Sequence, residues 1–417
     1  MGQAASPGDL AILRRLIAWA EKVVVLGSLL DGLTDARPKP RIGTLVIVRS
    51  LLVMIVTRLG SLNAVEQTHS SLFWRRFLHT QLPSADTLGR VASQMAPEAL
   101  RKILQEVYTE LKRNKALPPP DHGLMPLVLD GHESHCTEQR HCPACLERTI
   151  STAHGDHIQY YHRHVTAMLL SRDFPILLDA EPQRPGEDEI ATALRLLGRL
   201  LKNYPRAFDV VLGDALYTDP RLYNFLLDHG KDALTVLKNE NRNLLTDARA
   251  LFETLSPQRF TEGAITREVW DLQGFTSWPQ VQQPVRVVRS RETTTTRRQL
   301  DGQLHDQEAG WVWVTTLSAN QASTPTLVAL GHARWRIENQ GFNETTNRWA
   351  ADHVYKHEPT AILIFCLMTM LAYNLFYAFY SRNLQPAYRS RFDAQHVARC
   401  LSSELYQGLA DNRAPPT

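Results

Sequence analysis

The order of apolar segments between residues 121 and 245 constrains the fold of this chain most strongly. The first segment, LMPLVLD, has the composition of a buried strand and ends on Asp130. Two further apolar runs follow between residues 160 and 178, separated by the turn-forming sequence SRDFP. The segment GEDEIATALRLLGRLLKNYP predicts an amphipathic helix, because it has an acidic first turn, helical apolar spacing and a terminal proline. After it, FDVVLGDALY predicts a strand, DPRLYNFLLDHG a helix and DALTVLK a strand.

Three strands, helix, strand, helix, strand is the order of an RNase H-like core. We therefore predict an α/β fold with a mixed five-stranded sheet of that type, preceded by an all-α N-terminal domain that ends in the proline run 118–120. Alternating strands around the polar turn RETTTTRRQLDGQ predict a β-rich insertion. The predicted divisions are the helical domain at 1–120, the first part of the core at 121–245, the insertion at 246–322, the second part of the core at 323–385 and a tail at 386–417.

Composition and charge limit the class of protein and its setting. A net charge of +3 is too small for a surface that is basic throughout, so any nucleic-acid contact must come from local patches. Five cysteines in 417 residues do not make a disulfide framework, and the first residues lack a secretory pattern. We expect a cytoplasmic protein, associated with the nucleoid when it binds DNA.

One segment has nearly the length and apolar character of a membrane span. Residues 361–380, AILIFCLMTMLAYNLFYAFY, approach the roughly 20 apolar residues that cross a bilayer. Thr369, Asn374 and several aromatic rings interrupt this segment. We therefore predict a helix buried in a large core, and no membrane association.

Three acids stand where this topology brings chain ends together. Asp130 ends the first strand and Asp214 the fourth, and these strands lie side by side with their carboxyl ends at one edge. Glu338 is carried by a late helix, one turn after Arg334. Each acid alone is more often a turn former or a solvated helix residue. Together they predict a site for two Mg²⁺ or Mn²⁺ ions and displacement at phosphorus, with Arg334 holding Glu338 or a phosphate.

The segments VLDGHE, FDVVLGDALYTD and RWRIENQGFN resemble the three catalytic blocks of DDE transposases related to insertion sequence 4. The helix segment GEDEIATALRLL is also similar, and the likeness covers residues 124–380. It implies a β insertion between the second aspartate and the glutamate, and cut-and-paste movement of an element with inverted repeats. The family signature around the glutamate has tyrosine, arginine, glutamate and lysine. Here Arg334 and Glu338 match, while Gly331 and Thr345 replace the tyrosine and the lysine.

The segment from residue 132 to residue 164 holds seven of the 16 histidines and three of the five cysteines. Within it, HCPAC has the two-residue gap that lets both thiolates reach one tetrahedral zinc ion. A structural zinc site and a polar loop with free buried thiols both fit this pattern. The candidate zinc ligands are Cys142 and Cys145, joined by Cys136, His141, His154 or His157.

Double-stranded DNA, both the inverted repeats and the target, is the partner that these features predict. Arg75 and Arg76 lie in the sequence WRRF of the helical domain, where basic and aromatic residues mix. Further basic residues of this domain are Arg90, Arg101, Lys102, Lys112, Arg113 and Lys115. A solvated helical face explains them about as well. The segment RSRETTTTRR is a second basic patch, and near the acids the candidates for phosphate contact are Lys238, Arg336 and Arg348. Since transposition joins two element ends, we expect a homodimer on DNA.

Two other functions remain open. A structure-specific nuclease on the same core would share the metal ions and lack strand transfer. A domesticated DNA-binding protein would bind without cutting. The three acids favour catalysis, and the helical domain with the insertion favours a transposase.

Overall fold

The structure is a computed structural model that describes residues 12–139, 141–153, 155–238, 242–297 and 304–406. Helices form its N-terminal part, and four of the seven begin at a serine cap or a proline. Ser61, Ser71 and Ser84 cap three of them through their hydroxyls, and Pro97 occupies the first turn of the longest. The helices are α1 (Ile12–Val24), α2 (Leu26–Asp31), α3 (Thr44–Val56), α4 (Leu62–Glu66), α5 (Leu72–Leu78), α6 (Ala85–Ala92) and α7 (Pro97–Arg113).

The central sheet confirms the predicted RNase H-like fold. Its core strands are β1 (Pro126–Thr137), β3 (Gly155–Leu170), β4 (Pro175–Pro182), β5 (Val210–Gly213) and β6 (Asp232–Val236). They lie in the order β4-β3-β1-β5-β6, antiparallel from β4 to β1 and parallel from β1 to β6. The crossover helices α8 (Glu189–Asn203) and α9 (Pro220–Asp228) connect the parallel strands. A strand that the sequence did not predict, β2 (Leu146–Thr152), pairs with the first half of β3.

The insertion extends this sheet. It opens with a helix, α10 (Arg242–Glu253), where the sequence predicted strands from residue 246, because Leu244, Leu245 and Phe252 follow helical spacing and are buried. The strands β7 (Gln258–Glu262), β8 (Ile265–Phe275), β9 (Val285–Arg297) and β10 (Leu304–Thr315) follow. β10 pairs antiparallel with β6, so the insertion and the core share one ten-stranded sheet.

The second part of the core returns to helices. These are α11 (Thr324–Ala333), a π-helical turn (Ile337–Phe342), α12 (Asn343–Trp349) and α13 (Pro359–Arg382). α13 packs on β4 and on α3, α7, α1 and α6, so it joins the sheet to the N-terminal helices.

In the described ranges, α13 alone is long and apolar enough to cross a membrane, and 78% of its most apolar window is buried within the protein. Its buried Asn374 side chain accepts a hydrogen bond from the Leu177 amide (2.8 Å) and donates one to the Leu177 carbonyl (2.7 Å). A polar side chain satisfied by the neighbouring strand fits a core helix.

An ion-pair network also fixes the helical domain to the sheet. Arg101 on α7 donates from Nε to Asp179 Oδ1 (3.0 Å) and from Nη2 to the Ala180 carbonyl (2.9 Å) on β4. Arg199 on α8 bonds Asp179 Oδ2 (2.6 Å), and both arginines also contact Glu181. Because these acids are buried, the paired arginines offset the cost of removing the carboxylates from water.

Residues 386–406 of the predicted tail form two further helices, α14 (Pro386–Arg391) and α15 (Ala394–Tyr406). α15 packs on α1, where the buried Glu404 carboxylate accepts the Leu13 amide at 2.7 Å. The two ends of the described chain are therefore held together.

Candidate active site

Asp130 and Asp214 lie at equivalent levels of the neighbouring strands β1 and β5. Asp214 directly follows β5, as predicted, whereas Asp130 does not end its strand, because β1 stays paired with β3 as far as Thr137. Val128 of β1 pairs with Leu212 of β5, and each aspartate lies two residues beyond that pair. Asp214 Oδ1 accepts the Leu216 amide (2.8 Å), which caps the short turn after β5 and fixes the direction of the side chain. Asp130 Oδ1 accepts the Gly131 amide at 2.9 Å. The two carboxylates therefore stand at the same level of the sheet, where β5 ends.

Glu338 reaches the same edge from the π-helical turn. One guanidinium nitrogen of Arg334, Nη1, lies 2.9 Å from Glu338 Oε1 and 3.7 Å from Asp130 Oδ2. The Arg334 side chain is buried and lies on the indole ring of Trp335, with its Cζ 4.2 Å from the ring centre. The π-helical turn widens the helix where it faces β1, a distortion often found at functional sites. The structure thus brings Asp130 and Glu338 to the guanidinium group of Arg334.

The electrostatics of Asp130 reflect crowding of negative charge. Burial, together with the charges of Asp214, Glu189 and Glu338, raises the pKa of Asp130 to about 7, while Arg334 opposes them. A carboxyl group with this pKa is half protonated at neutral pH. The arginines near the cluster therefore do not supply enough positive charge to keep Asp130 fully ionised at neutral pH.

Glu189 is a fourth acid of this site that the sequence analysis did not single out. It is the first residue of α8 and is buried. Its Oε1 accepts the Tyr217 hydroxyl (2.8 Å), and its Oε2 lies 2.5 Å from Arg163 Nη2. A Cβ at Gly131 would lie 2.6 Å from this carboxylate, so only glycine fits beside Asp130. An acid in a first helical turn is explained by the helix dipole alone, which is why its position carried no further signal.

The two departures from the family signature have steric explanations. A Cβ at Gly331 would overlap the ring of Trp313, which is buried on β10, so the space for a tyrosine is occupied. Thr345 is buried, and its hydroxyl donates to the Gly341 carbonyl at 2.8 Å. A lysine there would place its charge inside the protein.

The ligand atoms that the acid cluster offers suit hard divalent cations. Asp130, Asp214, Glu338 and Glu189 offer only carboxylate oxygens, and the arginines that face them are Arg334 and Arg163. Oxygen-only ligand sets suit Mg²⁺ and Mn²⁺, and added positive charge would lower the pKa of Asp130 back toward its usual range.

The three basic residues predicted near the acids have different surroundings. Lys238 is exposed and follows β6, at the same end of the sheet as Asp214. Arg336 donates to Gln340 Oε1 at 2.9 Å, and burial lowers its pKa. Arg348 Nη1 lies 2.8 Å from the buried carboxylate of Glu344, so its charge already has a partner.

In the helical domain, Arg75 and Arg76 are exposed on α5. The preceding residue, Trp74, is buried, and its indole nitrogen donates a hydrogen bond to Thr68 Oγ1 at 2.8 Å. The expected mixture of arginines and aromatics on one face is thus divided between surface and core. Arg101 must be removed from the candidates for DNA contact, because it is buried in the ion-pair network described above. The other basic candidates of this domain are exposed: Arg90, Lys102, Lys112, Arg113 and Lys115.

In the insertion, Arg289 lies over the Trp270 ring (4.9 Å) and Arg291 pairs with Glu268. Arg298, in the same basic segment, lies outside the described residues.

The cysteine-rich segment gathers a different set of ligands from the one predicted. Cys142 and Cys145 meet His162 of β3 and His357 of the segment before α13, with all four ligand atoms within 4.8 Å of one another. Cys136 is exposed and donates to Glu133 Oε1 at 3.2 Å.

The other predicted zinc ligands do not join this group. The His141 ring stacks on Tyr160 (4.7 Å between centres), and His157 Nε2 lies 3.2 Å from Glu138 Oε1. His154 lies outside the described residues.

The part of the chain that carries these acids matches the model of a known protein family. A family model described as "Transposase DDE domain" matches residues 124–375, which is more than half of the chain and includes β1, α8, β5, the insertion and the π-helical turn. A search of curated proteins gave no match. Because the match covers the whole sheet and the helices that carry the acid cluster, this chain belongs to the transposase DDE domain family.

Proposed function

We propose that this protein is a cut-and-paste DNA transposase, which cleaves DNA at the ends of its element and joins those ends to target DNA. Asp130, Asp214 and Glu338 would hold two Mg²⁺ or Mn²⁺ ions. The observation that carries this proposal is the single Arg334 nitrogen in contact with both Asp130 and Glu338. It brings acids 208 positions apart in the sequence to one point beside Asp214.

When bound, the two ions stabilise the attacking and leaving oxygens during in-line displacement at phosphorus. The protein's own groups prepare the site. Asp130 gives up its proton as positive charge enters, and Asp214 is held in place by the Leu216 amide. Arg334 keeps Glu338 turned toward Asp130, and its buried guanidinium supports negative charge that develops on the phosphate.

The two steps balance without a covalent enzyme intermediate. In the first, a water oxygen bonds to phosphorus, the bond from phosphorus to the 3′ oxygen breaks and that oxygen takes up the water's proton, which leaves a 3′ hydroxyl on the element end and a 5′ phosphate on the flanking DNA. In the second, that hydroxyl bonds to a target phosphorus and releases a target 3′ oxygen, which takes up the proton. The first step is a hydrolysis and the second exchanges one phosphodiester bond for another, so neither requires an energy source.

DNA contacts would come from two surfaces. We assign phosphate binding near the acids to Lys238 and Arg336, since both lie beside elements of the site. We assign contact with the terminal repeats to the exposed Arg75 and Arg76. Arg348 is better explained as the partner of Glu344 than as a phosphate contact. A homodimer would hold the two ends together, in a cytoplasmic setting on DNA.

The test uses the purified full chain, a plasmid that carries the inverted repeats found beside its gene, and a target plasmid. With Mg²⁺, we expect end cleavage and joined product from the wild type. Asp214→Asn should bind the repeats and give neither. Asp219→Asn is the matched control. Asp219 lies five residues after Asp214 and caps α9, so this variant should retain both activities.

Cleavage without joined product would instead identify a structure-specific nuclease. Binding of the repeats without metal-dependent cleavage would identify a DNA-binding protein that has lost catalysis. Either result contradicts the transposase proposal.

A further inference from the structure

We propose that Cys142, Cys145, His162 and His357 form a structural zinc site, separate from the acid cluster. Four side chains from three parts of the chain converge there, two thiols and two imidazoles. These are the ligand types and the number that a closed tetrahedral zinc site uses.

Four of the six distances between ligand atoms match a tetrahedron around one ion, and the other two are within 4.8 Å. Zinc–sulfur bonds of about 2.3 Å and zinc–nitrogen bonds of about 2.0–2.1 Å place two sulfurs about 3.8 Å apart, and a sulfur about 3.5 Å from a nitrogen. The Cys142 and Cys145 sulfurs are 3.7 Å apart. His162 Nε2 lies 3.4 Å from each sulfur, and His357 Nε2 lies 3.5 Å from the Cys145 sulfur. A disulfide would require about 2.05 Å between the sulfurs, so the pair is not arranged as a covalent bond.

The local backbone also orients the two thiols. The Cys145 amide donates to the Cys142 carbonyl at 3.0 Å, which folds the HCPAC segment into a turn. The Cys142 amide donates to the Cys145 sulfur at 3.2 Å. Hydrogen bonds of this kind hold metal ligands in place.

The site links parts of the chain that are distant in sequence. Cys145 precedes β2, His162 lies in β3, and His357 lies 212 residues after Cys145, between α12 and α13. Beside it, His132 of β1 bonds Asp352 Oδ1 at 2.9 Å, a second contact between the sheet and that segment. A bound ion would fix the segment between α12 and α13 against β3, the strand that pairs with the Asp130-bearing β1. Its role is positioning, because four protein ligands leave no open coordination position.

The first experiment measures metal in the purified full chain by elemental analysis, after dialysis against buffer without added metal. We expect one zinc per chain in the wild type and loss of it in Cys145→Ser and His357→Ala. Cys136→Ser and His141→Ala are matched controls from the same segment and should keep one zinc. Asp214→Asn should keep it as well. Zinc below about a tenth of an equivalent in the wild type, or zinc lost from Asp214→Asn and kept in His357→Ala, would overturn the proposal.

A second measurement does not depend on the folding of any variant. Wild-type protein, prepared with Co²⁺ in place of zinc, should show the intense visible bands of tetrahedral cobalt with a sulfur-to-metal charge-transfer band. Mercurial modification of the thiols should abolish the bands and release one equivalent of ion. The weak spectrum of six-coordinate, oxygen-bound cobalt alone would refute the assignment. Neither readout uses DNA, so failure here leaves the transposase proposal standing, and failure of strand transfer leaves the zinc site standing.

Discussion

Replacement of Asp130 by asparagine should stabilise the folded protein when no divalent ion is bound, although it should abolish cleavage. Burial and three neighbouring acids raise the pKa of Asp130 from 3.8 to about 7. In the unfolded chain the pKa returns to its ordinary value. The folded protein therefore binds one more proton than the unfolded chain between these two pH values, and its stability falls as the pH rises through that window.

The structure gives the size of this effect. Each pH unit in the window is worth about 1.4 kcal/mol, so the loss at pH 8 reaches about 4 kcal/mol, an upper value because the site relaxes and admits water. Asparagine cannot ionise and escapes this loss. The difference in the free energy of unfolding between Asp130→Asn and the wild type should thus be largest at pH 8 and decline toward pH 4.

Urea denaturation of both proteins at pH 5, 6, 7 and 8, in buffer cleared of free divalent ions without a chelator, measures this difference. Millimolar Mg²⁺ should then stabilise the wild type at pH 8 and leave Asp130→Asn unchanged. Asp156→Asn, at an exposed position of β3, is the control and should follow the wild type at every pH. If Asp130→Asn were no more stable than the wild type at pH 8, or the difference did not change with pH, the description of a buried, charge-deficient acid cluster would be wrong.

Three further predictions concern single side chains. Arg334→Ala should lower the rate of DNA cleavage at saturating DNA by about 100-fold and leave DNA affinity nearly unchanged, because we propose that its buried charge acts at the reacting phosphate; an equal loss in affinity and rate would place it in binding instead. Gly331→Ala should lower the free energy of unfolding by about 1–3 kcal/mol, since the methyl group overlaps the Trp313 ring, whereas Gly198→Ala, on the exposed face of α8, should raise it by about 0.5–1 kcal/mol. Urea titration compares the two, and a neutral Gly331→Ala would show that Trp313 can move. Arg76→Ala should weaken repeat binding and reduce the slope of log affinity against log salt by about 1; an unchanged slope would remove α5 from the DNA-binding surface.

The positions of the two aspartates followed from strand order alone. The order of apolar segments was enough to place Asp130 beside Asp214, because the two strands are parallel neighbours. It did not show that β1 continues seven residues beyond Asp130, to Thr137, because that extension depends on pairing with β3. The position of Glu338 depended on more. Periodicity predicted one regular helix, whereas the structure has a π-helical turn at that residue, which depends on tertiary packing against β1.

Features that depend on distant contacts escaped the sequence analysis. The HCPAC spacing identified Cys142 and Cys145, but no local pattern points to His357, more than 200 residues away. Arg101 looked like a surface residue because arginine usually is one, yet the acids of β4 draw it into the interior. Glu189 was not singled out, because the helix dipole alone explains an acid in the first turn of a helix.

The most direct test of the central claim is the anomalous scattering of Mn²⁺ in crystals of the protein bound to the DNA of its element end. We predict two manganese peaks at the edge of the sheet, with carboxylate oxygens of Asp130, Asp214 and Glu338 as ligands. Manganese bound elsewhere, or bound without any oxygen from Glu338, would contradict the account.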